Sequence, residues 1–307
     1  MNDFYNSRNF ATFGVAGNFT GHLEQAGEDK DFLCMEVLEK NAPKALFPTY
    51  IPQKNTSPDF SENASLIPSF LHVFPFSPDK IIFPICEEKI QIESECAILF
   101  SAEWENISSS KLLSSNKKLI SLKPLGFAAS NDCSIRKEGA KKISLKKNWG
   151  KCSKGLSSNI IPLEEFSENS LLNDYRISSF LIRKNEIFVY GEDSPIKNYS
   201  YIYEKLKSWL IDKFNNQRDE GPAENILSYL KEASYPEKIM VSIGATRYTN
   251  FGEHNFLENG DKSCVILYPE NRYSPEKIKE ILYETVFLDS HFECDVSALI
   301  QTVLLQS

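Results

Sequence analysis

The segment IQIESECAILF, residues 90–100, sets two glutamates among isoleucine, leucine, cysteine and phenylalanine. In a strand, residues two apart share a face, so Glu93 and Glu95 project together with their roots about 6 to 7 Å apart. Two ionised carboxylates on a half-buried face repel each other and lose hydration, and a cation, a proton or a partner must relieve that cost. A solvent-exposed strand carries the same pair harmlessly, so a third ligand decides between the two readings. SNDCSIR, residues 130–136, offers one: Asp132 follows the apolar run PLGFAAS, where a strand would deliver a side chain into a site. Asp and Asn are equally common turn formers. Hard divalent cations take oxygen ligands and keep open positions for water or substrate, a demand that Glu93, Glu95 and Asp132 meet.

GVAGNFTGHLEQAGE, residues 14–28, places three glycines before His22 and then Glu24, Gln25 and Glu28. Such a histidine can serve as general acid or base, or simply cap a glycine-rich loop entering a short helix. The glycines lack the G-x-G-x-x-G spacing and the preceding strand of a dinucleotide site.

These residues need a scaffold, and the sequence between them reads as strands. From Lys80 to Phe100, short isoleucine-rich runs are punctuated by proline. Ile177–Arg183 and Glu186–Tyr190 predict a hairpin turned by Lys184 and Asn185. Ile202, Leu206, Trp209, Leu210 and Phe214 share one helical face, ended by Gly221 and Pro222. A shorter helix from Ala223 points Ile226, Leu227 and Leu230 inward, and KIMVSI at 238–243 reads as a strand. Ser274, Pro275 and Glu276 make a helix start, and VSALIQTVLL is expected to dock as a closing helix. NISSSKLLSSNKK (106–118) and KEGAKKISLKKNWGKCSK (137–154), the latter with seven lysines, are expected as surface loops. The sum is a mostly β protein with peripheral helices, α+β in class, in which 307 residues with 41% hydrophobic content can bury a sizeable core.

A net charge of −8 argues against a general role on DNA or RNA. The N-terminal MNDFYNSRNFATF shows no basic start followed by an apolar core, and no segment has the length to span a bilayer, so no membrane partner and a cytoplasmic location are expected. The seven cysteines show no C-x-x-C pair, which argues against a disulfide framework or structural zinc.

In order and spacing these pieces resemble the fumarylacetoacetate hydrolase superfamily. Its pattern runs Gly-x-Asn-Tyr-x-x-His, Glu-x-Glu on a strand, Asn-Asp-x-Ser-x-Arg, a loop lysine, then Gly-Thr-Pro and Gly-Asp. The chain gives Gly17-Asn18-Phe19-Thr20-Gly21-His22, Glu93-Ser94-Glu95, Asn131-Asp132-Cys133-Ser134-Ile135-Arg136, Lys151, Gly244-Ala245-Thr246 and Gly260-Asp261. The match covers roughly residues 14–268 of a single domain, 1–307, with a helical extension over 274–307. It departs from the pattern at Gln25, where the family has Glu, at Gly139, where Gln is frequent, and at Ala245.

By resemblance, the fold is a mixed β-roll of the family's C-terminal-domain type, and the assembly a homodimer. Glu93, Glu95 and Asp132 would hold Mg²⁺ or Mn²⁺, with Ca²⁺ as an alternative. His22, with Glu24 or Glu28, and Lys151 would be catalytic; Asn18, Phe19, Arg136, Lys151 and Thr246 would bind the substrate, a small anionic oxo acid. The implied activity is hydrolysis of a carbon–carbon bond in a 1,3-dicarbonyl, acylpyruvate-like acid through a metal-stabilised enolate. Decarboxylation or isomerisation of an oxo acid on the same site, or a catalytically silent ligand-binding member, are the alternatives.

Overall fold

The computed structural model describes residues 10–32, 39, 41–53, 65–84, 89–107, 116–137 and 139–306. Two sheets make the body. In the larger, the path runs Ala45–Tyr50, Ala11–Ala16, Lys238–Ser242, Ser94–Asn106, Lys117–Asn131, Lys154–Leu156 and Phe76–Ser77, with Ile161–Pro162 added beside Lys117–Asn131. In the five-stranded sheet the order is Glu186–Pro195, Tyr175–Arg183, Lys262–Pro269, Ser297–Leu305 and Lys80–Phe83. A short pair, Ile90–Gln91 with Ser134–Ile135, ties together the two ends where the acidic motifs lie. Helices pack outside, so the class is α+β and mostly β, as the strand patterning predicts.

Local chemistry accounts for the elements that the sequence announces. The hairpin turns on Lys184 and Asn185, both at positive φ (51° and 67°), the geometry a tight two-residue connection requires. The helix Tyr203–Asn216 buries Leu206, Trp209, Leu210 and Phe214 on one face, and the Phe214 ring meets Phe13 edge-on at 4.9 Å. The next helix starts at Ile226 rather than Ala223, because Asn225 caps it by accepting from the Ser228 N–H. Ser274 caps Pro275–Phe287 in the same manner, at Lys277 N–H.

Two expectations are corrected. The closing segment VSALIQTVLL is a strand, Ser297–Leu305, so the extension over 274–307 is a helix followed by a strand. Leu299, Gln301 and Val303 face one side and are buried, while Ala298 and Ile300 pack under the 275–287 helix. Apolar residues on both faces hide the two-residue period, and pairing with Lys262–Pro269 and Lys80–Phe83 selects the strand. The lysine-rich stretch 137–154 is not a solvated loop: a helical turn, Ser144–Lys147, and a strand, Lys154–Leu156, bury three of its lysines. The central part of the other loop, 108–115, lies outside the described residues. Among the described residues, no helix is long and apolar enough to cross a membrane.

Candidate metal centre and its buried charges

Strand register brings the acidic residues together. Ser94 pairs with Asn131 and Glu95 with Ser130 in the antiparallel ladder, so Glu93 and Asp132, one residue beyond each end, meet across it. The Asp132 N–H donates to the Glu93 carbonyl at 3.0 Å, and the Glu93 N–H donates to the Asn131 side chain at 3.0 Å. One carboxylate oxygen from each of Glu93, Glu95 and Asp132 lies within 4.8 Å of the others, and all three residues are buried. The sequence spacing therefore brings Glu93 and Glu95 together, and the ladder adds Asp132.

Among the described residues, three cations contact this triad, and a fourth, Lys146, joins them through Glu28. Lys147 Nζ lies 2.5 Å from Glu93 Oε2 and 2.9 Å from Asp132 Oδ2, and Lys154 Nζ lies 2.7 Å from Asp132 Oδ1. Arg136 reaches Glu93 Oε1 and Glu28 Oε1, both at 2.8 Å, and Lys146 reaches Glu28 Oε1 at 2.9 Å. Burial alone would raise the Glu93 pKa, but the Lys147 and Arg136 charges hold it well below the usual carboxylate range. Glu95 behaves oppositely: burial, with the charges of Asp132 and Glu93, pushes its carboxyl well above that range. Glu95 forms no ion pair among the described residues; its Oε2 accepts the Gly244 N–H at 2.9 Å. Gly244 has φ of 117° and no room for a Cβ beside Asn18, so a glycine is needed to present that N–H.

The donor set fits a hard divalent ion. Three convergent carboxylates, one of them short of positive charge, are the ligands such an ion takes. A cavity of about 20 Å³ touches His22, Glu93, Glu95 and Lys147, room for about one water or one ion.

His22 sits in the helical turn His22–Gln25, entered through Gly21 at φ 84°. The ring is buried, tilted against Tyr248 at 5.2 Å, and its Nδ1 has no hydrogen-bond partner among the described residues. Burial depresses its pKa to about 4, so the imidazole is neutral at neutral pH. Neither acidic neighbour orients it. Glu24 is exposed, and Glu28 is held by Arg136 and Lys146. Gln25 clasps the Tyr248 backbone, accepting its N–H at 3.0 Å and donating to its carbonyl at 3.2 Å.

The remaining residues singled out from sequence divide. Arg136 enters the cluster and is fully engaged: besides the two glutamates it donates to Gln91 Oε1 and the Tyr248 hydroxyl, each at 2.6 Å. Asn18 is buried and bonded through its side chain to the backbones of Tyr201 and Ile243. Phe19 packs edge-on against Tyr199, and the Thr246 hydroxyl pairs with Ser94 Oγ at 2.8 Å. Lys151 is exposed, whereas Lys146, Lys147 and Lys154, not selected from sequence, are buried. Lysines 146 and 147 could have been suspected only from the serine–leucine start of their turn, a weak signal. Outside the ion-pair layer, a chamber of about 590 Å³ is bordered by Glu24, Lys30, Lys89, Arg136, Lys146 and Glu253.

Glu224 anchors the lysine turn from behind. It is buried against Ser144, neither carboxyl oxygen has a well-directed hydrogen bond, and burial raises its pKa to about 7. The unfolded chain releases this proton near pH 4.5 and the folded chain near 7, so Glu224 favours folding below pH 4.5 and that contribution is lost as pH rises to 7. A rise of this size corresponds to roughly 3 kcal/mol. Glu224→Gln is expected to melt higher than wild type at pH 8 and equally at pH 4.5, as scanning calorimetry would read; a lower melting point at pH 8 would refute the assignment.

The model of a family of unknown function, DUF5718, matches residues 28–303. No curated protein matches the sequence. Among solved structures, the hexagonal crystal form of 2-keto-3-deoxyarabinonate dehydratase superposes with TM-score 0.52 at 13% identity, covering 97% of this chain and 74% of that one. The 2-keto-3-deoxy-D-arabinonate dehydratase complexed with magnesium and 2,5-dioxopentanoate gives 0.50 at 13% identity, over 96% and 73%. A 2-hydroxyhepta-2,4-diene-1,7-dioate isomerase from Mycobacterium marinum gives 0.48 at 10% identity, over 97% and 75%. The fold is shared with these dehydratase structures, and its mostly β architecture is the one that the sequence resemblance implies.

Proposed function

Because the chain belongs to the DUF5718 family, of unknown function, and has the fold of an enzyme superfamily, we propose that it is a divalent-metal-dependent enzyme that moves a proton at a carbon beside a carbonyl in a small anionic oxo acid. The observation that carries this reading is a neutral His22, its Nδ1 unpartnered, beside three convergent carboxylates. A dehydratase of the same fold, bound to magnesium and a dioxo acid, supports the metal and the substrate class.

Glu93, Glu95 and Asp132 would hold Mg²⁺ or Mn²⁺. The chemistry a bound ion supplies is Lewis-acid stabilisation of negative charge on an oxo oxygen. His22 Nδ1 accepts a proton from the carbon and returns it elsewhere on the substrate. Positive groups lining the outer chamber, Lys30 and Lys89 among them, attract the substrate's carboxylate, and Arg136 would reach it only by leaving one of its present partners.

Isomerisation, which needs only this proton moved, and decarboxylation, in which the enolate left by loss of CO₂ takes up a proton from solvent, suit the geometry best. Carbon–carbon hydrolysis of an acylpyruvate-like acid, the second reading, also needs a water held and activated by a histidine–carboxylate pair, and Glu28 is held by Arg136 and Lys146 instead. Hydrolysis gains weight only if Glu28 leaves Arg136 and Lys146 for His22. A homodimer in the cytoplasm belongs to the same reading, the former checked by light scattering.

The test is solvent-deuterium exchange at the carbon beside the carbonyl of short oxo acids, followed by NMR with Mn²⁺ or Mg²⁺ and with EDTA. Metal-dependent exchange well above a metal-only control is expected, with His22→Ala slower by about 10²-fold. Exchange equal to the control, alongside a metal-dependent rise in melting temperature, would instead mark a silent ligand-binding protein. Carbon dioxide release from oxaloacetate and loss of acylpyruvate separate the outcomes.

A further inference from the structure

Lys147 and a metal ion would claim the same two carboxylates. The ammonium bridges Glu93 Oε2 and Asp132 Oδ2, which belong to two of the three candidate ligands. A Mg²⁺ at its usual ~2.1 Å from Glu93 Oε2 would lie less than about 5 Å from that ammonium, inside a site that water does not screen. Two cations so close repel each other strongly, so each weakens the other's hold on the triad.

The fold, rather than chance bending of a surface side chain, puts Lys147 in place. Its side chain is 4% exposed and its ammonium lies over the Phe47 ring at 5.4 Å from the centroid. The turn carrying it is pinned at both ends. Ile143 N–H donates to the Pro222 carbonyl at 3.1 Å, and the Asn148 side-chain amide donates to the carbonyls of Thr49, Phe70 and Val73. Charge is also balanced without a metal: Glu28, Glu93 and Asp132 each face at least one of Arg136, Lys146, Lys147 and Lys154. Of these four clustered carboxylates, Glu95 alone has no ion pair among the described residues.

We propose that Lys147 is an internal cation that closes the metal position, the ammonium and a divalent ion being alternative occupants of the triad. The inference rests on the metal reading above and adds a competitor built into the chain. Loading then requires Lys147 to leave Glu93 and Asp132, so metal affinity falls below that of an unobstructed three-carboxylate site. The protein stays neutralised and folded when metal is scarce, and its site opens as metal concentration rises.

Calorimetric titration of Mn²⁺ into metal-free wild type, Lys147→Met, Lys147→Gln and the exposed-lysine control Lys141→Met tests this. Both Lys147 variants are expected to bind Mn²⁺ tighter than wild type by roughly tenfold or more, and Lys141→Met to match wild type. Equal affinity in wild type and the Lys147 variants overturns the proposal and leaves the metal reading standing. No binding in any of the four overturns both. If the Lys147 variants do not fold, wild-type crystals grown in Mn²⁺ decide. An anomalous peak at the triad with Lys147 Nζ beyond 4 Å of both carboxylates supports the proposal; a peak with the ammonium still bridging them overturns it, and no peak overturns both it and the metal reading.

Discussion

Replacing Asp132 with asparagine is expected to lower the melting temperature in EDTA by roughly 10 °C and to remove its dependence on Mg²⁺ or Mn²⁺. Asp132 holds two buried ammonium groups, Lys147 through Oδ2 and Lys154 through Oδ1, and both lysines are at most 4% exposed. An amide keeps the shape and loses the charge, leaving Lys154 with a carbonyl and a weaker partner. Breaking a buried pair by removing one member costs about 3–5 kcal/mol, because the surviving charge cannot return to water; Lys147 keeps Glu93, but Lys154 keeps only the neutral Cys133 carbonyl. Burial already depresses the Lys154 pKa, and the loss of Asp132 removes the charge that most opposes this shift. In wild type, saturating metal at 100 times its dissociation constant should add about 2.7 kcal/mol. A melting curve of wild type that ignores both metals would sink the metal reading, and an Asp132→Asn protein as stable as wild type would sink the account of the charge cluster.

Glu95→Gln is expected to move stability and turnover in opposite directions. Burial and the charges of Asp132 and Glu93 raise the Glu95 pKa well above its value in an unfolded chain. The native state therefore retains a proton that the unfolded chain gives up near pH 4.5, and stability is lost as pH rises from there toward the folded pKa. Glutamine removes that loss while its side-chain oxygen can still accept the Gly244 N–H, so the metal-free variant should melt above wild type at pH 7. The same change removes one of three anionic ligands. Deuterium exchange with Mn²⁺ present should fall by about 10²-fold or more, since the remaining carboxylates are both paired with cations. A variant that is both less stable without metal and fully active with it would contradict the role given to Glu95.

His22 gives a milder pH signature of the opposite sign. Its pKa falls from 6.5 to about 4 on burial, so the unfolded chain gains a proton first and stability declines as pH drops through that window.

Much of this protein was legible before any coordinates. The apolar alternation around Glu93 and Glu95, the run leading to Asp132, the hairpin at Lys184 and Asn185 and the cap at Ser274 are local patterns, and each depends on neighbours within a few residues. Order along the chain then pointed to the superfamily fold. VSALIQTVLL was misread because both of its faces are covered, one by the sheets and one by the 275–287 helix, which erases the alternation that marks a strand. The substrate residues expected from resemblance fared unevenly: Asn18 and Thr246 are taken up by internal hydrogen bonds that depend on segments about 150 to 225 residues away.

The lysines show where sequence information stops. KEGAKKISLKKNWGKCSK carries seven lysines without periodicity, and the motif singled out Lys151, which is exposed. Whether a lysine is solvated or buried is settled by what covers its stem and meets its ammonium. For Lys147 that is the Phe47 ring, Glu93 and Asp132; for Lys154 it is Asp132, the Cys133 carbonyl and the Trp149 ring. The sequence by itself singled out the three carboxylates and His22 and indicated the mostly β fold that gathers them. Only the tertiary structure decided which cations face those carboxylates, because an ion pair between distant segments has no trace in local composition and exists only once the sheets bring its members together.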